Sequence, residues 1–164
     1  MADDKDRVIS TLNRLIEVCK DGQKGYQTAA ECIKNLDLKT LFQSYAHQRE
    51  RFVNELQSAV RHLGGDPETK GSLAGVLWRG WTNLKALVTG GDEGAVIAEC
   101  ERAEDSARSN YEAALKECLP AEVRVLVERQ FSAVKEAHDR IRALEAVVEG
   151  TANKGPLPRG GTTP

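Results

Sequence analysis

The sequence predicts an all-α protein, a four-helix bundle made of two hairpins joined by one long crossover. Three observations carry this reading. Apolar and small residues recur at helical spacing through four long stretches. The segment from Gly64 to Gly91, between the second and third stretches, is far longer than a hairpin turn. The hydrophobic residues are mostly Leu, Val, Ile and Ala, with only two Trp, three Tyr and three Phe in 164 residues, which suits helices better than strands. A chain of this length forms one domain by default and can bury one continuous core.

The first helix is predicted from Asp4 to about Ile33, on the stripe Val8, Leu12, Leu15, Cys19, Gly22, Tyr26, Ala29 and Ile33. Asn35-Leu36-Asp37 supplies a turn and a cap. The second helix then carries Leu41, Tyr45, Gln48, Phe52, Glu55 or Leu56, Ala59 and Leu63 on its expected inward side. Gly64-Gly65-Asp66-Pro67 ends it, because glycine takes the left-handed cap conformation and proline cannot continue a helix. Ser72 to Val88 is predicted as a short fifth helix lying across the bundle, with Leu73, Val76, Leu77, Trp81, Leu84 and Val88 near one side. Gly90-Gly91 stops it.

Asp92 is positioned to cap the next long helix, whose stripe is Ile97, Cys100, Glu104, Ala107, Tyr111, Ala114 and Cys118. Pro120 opens the last, with Val123, Val127, Gln130, Val134, Ala137 or His138, Ile141, Leu144 and Val148 inward. The domain is expected to span residues 1–149. The tail 150–164, rich in glycine and proline, has little to bury and is expected to be disordered. A short link would allow only an antiparallel neighbour. The long one is expected to let helix three start at the end where helix one starts, in a ferritin-like arrangement. The hairpins echo one another: Gly25-Tyr26-Gln27-Thr28-Ala29-Ala30 matches Asn110-Tyr111-Glu112-Ala113-Ala114-Leu115, and Gln48 matches Gln130, which implies pseudo-two-fold symmetry.

Composition excludes several function classes. With 23 basic and 25 acidic side chains there is no electrostatic footprint for nucleic acid or an anionic membrane. Met1-Ala2-Asp3-Asp4-Lys5-Asp6 lacks an apolar leader core, and no stretch is long and apolar enough to span a bilayer, so a cytoplasmic location is expected. Cys19, Cys32, Cys100 and Cys118 form no C-x-x-C pair and are read as reduced, semi-buried small hydrophobes. No phosphate-binding loop, Ser/His/Asp set or nucleophile elbow is present.

Further motifs carry a resemblance. The first half holds Asp21-Gly22-x-x-Gly25-Tyr26-x-x-Ala29-Ala30-Glu31, Gln48-Arg49 with Phe52 and Glu55-Leu56, Leu63-Gly64-Gly65-Asp66-Pro67 and Gly71-Ser72. The second holds Trp78-Arg79-Gly80-Trp81 with Leu84-Lys85, Glu99-Cys100-Glu101 with Glu104-Asp105, Tyr111-Glu112-x-Ala114-Leu115, and Arg129-Gln130 with His138-Asp139. Over residues 7 to 145 the chain resembles the bacterial domain-of-unknown-function 2383 family of ferritin-like four-helix-bundle proteins. The resemblance implies a fold relative of rubrerythrin and ferritin and, by analogy, a link to stress responses, but no particular reaction.

A ferritin-like di-iron centre needs one Glu from each of two helices and a Glu-x-x-His pair from each of the other two. Glu-x-x-His does not occur in this sequence. His47-Gln48-Arg49-Glu50 reverses the order and Glu136-Ala137-His138 shortens the spacing. The expected inward cluster of Tyr26, Gln48, Glu55, Glu101, Glu104, Tyr111, Gln130 and His138 therefore has two readings. In the first it is a hydrogen-bonded network that satisfies buried polar atoms and fixes helix register. In the second, Glu101, Glu104 and His138, joined by Glu55, hold one metal or a degenerate pair, with iron as the ion. Arg49, Arg51 and Arg129 are read as a solvated, salt-bridged surface. Trp78 and Trp81 either anchor their short helix or form an interface. The expectation is a non-enzymatic interaction or structural bundle without a cofactor, working with a protein partner or as a homo-oligomer, a dimer through the Trp78–Trp81 helix. The alternative is a non-haem iron protein with a redox or storage role.

Overall fold

The computed structural model describes residues 2–68 and 92–152. These form four α-helices: α1 (Ala2–Cys32), α2 (Leu36–His62), α3 (Glu93–Lys116) and α4 (Ala121–Ala152). They pack as two hairpins, α1 with α2 and α3 with α4, joined face to face chiefly through α1 and α3. The predicted Ser72 to Val88 helix, Trp78 and Trp81 lie outside the described residues. So does the tail beyond Ala152, and α4 runs past the expected domain edge at residue 149.

Local chemistry sets the helix ends. Asn35 caps α2, its side chain accepting from the amides of Asp37 at 3.0 Å and Leu38 at 3.2 Å. Gly64 takes φ +78°, and the amides of Gly64 and Gly65 return to the carbonyls of Arg61 and Val60, closing α2 as a Schellman motif. Gly65 must also be small, because a Cβ there would meet Ile9 at 2.8 Å. Asp92 caps α3 through the Ala95 amide. Pro120 precedes α4 and its carbonyl accepts the first helical bond, from Arg124, at 2.9 Å.

The direction of α3 corrects the sequence reading. Tyr26, Ala29 and Ile33 of α1 cluster with Val96, Ile97 and Cys100 of α3, whereas Val8 to Cys19 cluster with Ala107, Tyr111 and Ala114. Helix α3 thus starts where α1 ends and runs antiparallel to it. The connection explains why. After α2 returns to the start of α1, Asn13 holds Asp66 and Glu68, and Lys20 donates to the Glu68 carbonyl, so the chain climbs back along α1. Because α2 ends beside the start of α1 and α3 begins beside its end, the two hairpins stand in the ferritin-like order.

The buried stripe of α2 is also displaced by one position from the predicted one. Phe42, Ala46, Arg49, Phe52, Val53, Leu56 and Val60 are buried, and Leu41, Tyr45, Gln48, Glu55 and Ala59 form the half-buried flank. Cys118 lies beyond the end of α3 and is exposed, while Cys19 and Cys100 are buried. Among the described residues no helix is long and apolar enough to cross a membrane.

Candidate functional site

The apolar core divides into two clusters, one toward each end of the bundle, and a polar belt lies between them. At its centre is Glu104 of α3, 1% exposed. Its Oε1 accepts from the Tyr26 hydroxyl of α1 and from Arg49 Nη2 of α2, the latter at 2.5 Å. Arg49 is equally buried, with its aliphatic stem over Gly22 and its guanidinium 5.9 Å from the centre of the Phe52 ring. Burial works against the Arg49 charge, but the Glu104 carboxylate outweighs it and holds the guanidinium above its ordinary pKa. Burial, then the negative Glu104, pushes the Tyr26 phenol far up, so Tyr26 acts as a neutral donor.

A second chain of hydrogen bonds leads from the interior to the α2–α4 seam. Tyr111 donates to Gln130 Oε1 at 2.8 Å, so the Cys19 thiol, 3.1 Å away, donates to the Tyr111 oxygen. Gln130 Nε2 donates to Glu55 at 2.9 Å, and Arg129 clamps the same carboxylate at 2.9 and 3.3 Å. Each tyrosine reaches the residue seven positions before the other tyrosine on the opposite helix: Tyr26 meets Glu104 and Tyr111 meets Cys19. These paired contacts match the internal repeat. They also locate its asymmetry, since one site carries a carboxylate and the other a thiol that burial keeps protonated.

A cavity of about 10 Å³ lies against the ion pair, with Asp21, Tyr26, Arg49 and Glu104 among its walls. Arg49 Nε, Glu104 Oε2 and Asp21 Oδ2 are buried without a protein partner there. That space matches one water.

The predicted metal set is divided by the fold. Glu104 is taken by Arg49 and Tyr26. Glu55 is half-buried and serves the seam between α2 and α4. Glu101 and His138 do come together, with Asp105 as a third member. Of the predicted inward amides, Gln130 is fully buried, but Gln48 sits on the α2 flank, and its Oε1 has no protein partner. Arg49 is the main residue that the sequence reading missed, because it was assigned to the surface on the strength of its charged neighbours. In the structure Glu50 lies 3.7 Å from His47, Arg129 pairs with Glu55, and Arg49 faces inward. The signal was present: Phe42, Ala46, Arg49, Val53, Leu56 and Val60 alternate spacings of four and three, which places Arg49 on the core face.

The family model described as "Domain of unknown function (DUF2383)" matches residues 7–117, more than half of the chain. The chain belongs to the DUF2383 family. Two solved structures are similar to this DUF2383 protein at the level of fold. One is a dodecameric thioferritin, the bacterioferritin-related protein from Bacteroides fragilis, with a TM-score of 0.73 and 12% identity over 93% of this chain and 92% of that one. The other is a two-domain protein with DJ-1/ThiJ/PfpI-like and ferritin-like domains from Anabaena variabilis ATCC 29413, with a TM-score of 0.72 and 12% identity over 97% of this chain. This chain spans 42% of the length of that two-domain protein. No curated protein matches the sequence.

The ferritin-like fold raises the question of iron at the bundle centre, and the residues of this DUF2383 protein do not fit it. A dinuclear centre needs carboxylates and imidazoles converging from four helices. Here the central carboxylate is neutralised by a guanidinium at 2.5 Å, and a cation already occupies the position a metal would need. The adjoining cavity has room for one water, not for two ions with their ligands.

Proposed function

We propose that this DUF2383 protein is a non-enzymatic ferritin-like bundle, an interaction or structural protein whose centre is closed by its own ion pair. The observation that carries the reading is Arg49 seated on Glu104 at mid-bundle, both 1% exposed. A protonated arginine cannot ligate a metal, and its charge repels a second cation in the same cage. The neutral phenols and thiol around it add donors and acceptors for packing. Self-assembly is the mode of interaction we favour, supported by the dodecameric state of the Bacteroides fragilis protein.

Aerobic oxidation of ferrous iron tests the reading. The purified chain leaves the rate at that of buffer alone, and sedimentation at tens of micromolar gives a discrete assembly larger than a monomer. A rapid oxidation burst abolished by Glu104→Gln would replace this function with that of a central iron oxidase. Monomer alone in sedimentation would remove the self-assembly.

A further inference from the structure

Outside the bundle centre, at the same height but on the groove between α3 and α4, three metal-ligating side chains converge. Glu101 and Asp105 stand one helical turn apart on α3, so both project toward α4. There they meet His138, which is 3% exposed and therefore held in place by packing. One donor atom from each of the three lies within 4.8 Å of the others. His138 Nε2 is 2.6 Å from Asp105 Oδ1, and its Nδ1 is 3.4 Å from Asp139 Oδ1.

We infer that Glu101, Asp105 and His138 form a binding site for a single divalent transition-metal ion of the zinc class, distinct from the di-iron position of the fold. Donors held about 2.0–2.2 Å from one ion stand roughly 3–4 Å apart. Reaching that geometry needs a small opening of Asp105, whose side chain is 62% exposed, and an approach of Glu101 from within 4.8 Å. The ion sits between His138 Nε2 and Asp105 Oδ1, in place of the direct contact between them. The Nδ1 proton then points to Asp139, the outer carboxylate partner that ligating histidines commonly have. Two carboxylates balance the charge of a divalent ion, and one imidazole with two oxygens favours a borderline ion such as Zn²⁺ over a hard one. The solvent side of Asp105 leaves the remaining coordination positions to water. This site is independent of the central ion pair, because Glu104 points inward from the same helix and is already bound there.

The test is titration of the chelator-treated full chain with zinc chloride against a chromophoric competitor. Glu101→Gln and Asp105→Asn sit on half-buried and exposed positions, so both are expected to fold, which circular dichroism verifies. Wild type takes one equivalent, each variant binds about ten-fold or more weakly, and the charge-free Arg49→Met/Glu104→Gln double variant, its fold checked in the same way, binds as wild type does. Zinc binding that is equal in wild type and in the Glu101→Gln/Asp105→Asn double variant overturns the site. Loss of binding on Cys118→Ser, the exposed thiol, overturns it as well.

Discussion

At the scale of single residues, the arginine at position 49 decides what the bundle centre can do. A buried ion pair is costly to break and need not add net stability, because desolvation of both groups offsets their attraction. Glu104→Gln strands the Arg49 charge inside the protein and is expected to cost about 3–5 kcal/mol. Arg49→Met with Glu104→Gln removes both charges, keeps an acceptor for Tyr26, and is expected to recover most of that loss. Urea unfolding of the two single variants and the double variant measures this. Additive losses would mean that the two residues do not act as a pair. Glu104 and His138 were legible as inward residues because each sits on an apolar stripe. Their separation was not, because stripe position alone does not tell which neighbouring helix a side chain meets. Asp105 was not read as a ligand for a related reason: it directly follows the inward Glu104 and so falls on an exposed face, one turn from Glu101.

At the scale of helices, the elements and their caps followed from local chemistry. Asn35, Asp92 and the Gly64-Gly65 pair act as the sequence predicts, since capping depends on a few adjacent residues. The face of α2 was less legible because Phe52 is buried and Leu56 was weighed against Glu55, so two stripes one residue apart both looked apolar. The α2–α4 seam supplies the element-scale prediction. Burial raises the Glu55 carboxyl, but hydrogen bonds from Gln130 and Arg129 and the Arg129 charge outweigh it and lower the pKa below its ordinary 4.5. A lowered carboxyl pKa stabilises the fold above the unfolded value, and that contribution disappears as pH falls through the folded value. Glu55→Gln is therefore less stable than wild type at neutral pH, and the two converge as the solution is acidified below 4.5. Urea midpoints across that range follow the convergence. A constant gap would show that the Glu55 charge contributes nothing to the seam.

At the scale of the whole molecule, the two-hairpin order and the internal repeat were legible, and the direction of α3 was not. Link length indicates that a crossover exists. Its direction becomes clear only when Asn13 and Lys20 are seen holding the start of the link against α1. The repeat gains a physical meaning at this scale. Equivalent tyrosines reach across the α1–α3 interface to Glu104 and Cys19, so a symmetric scaffold carries a single central negative charge, answered by one arginine. The most direct test of that central claim is a crystal structure of the protein grown in iron-supplemented medium, with anomalous scattering recorded at the iron edge. The account predicts Arg49 hydrogen-bonded to Glu104 and no anomalous peak within coordination distance of Glu104. An iron peak ligated by Glu104, with Arg49 swung away, would contradict it.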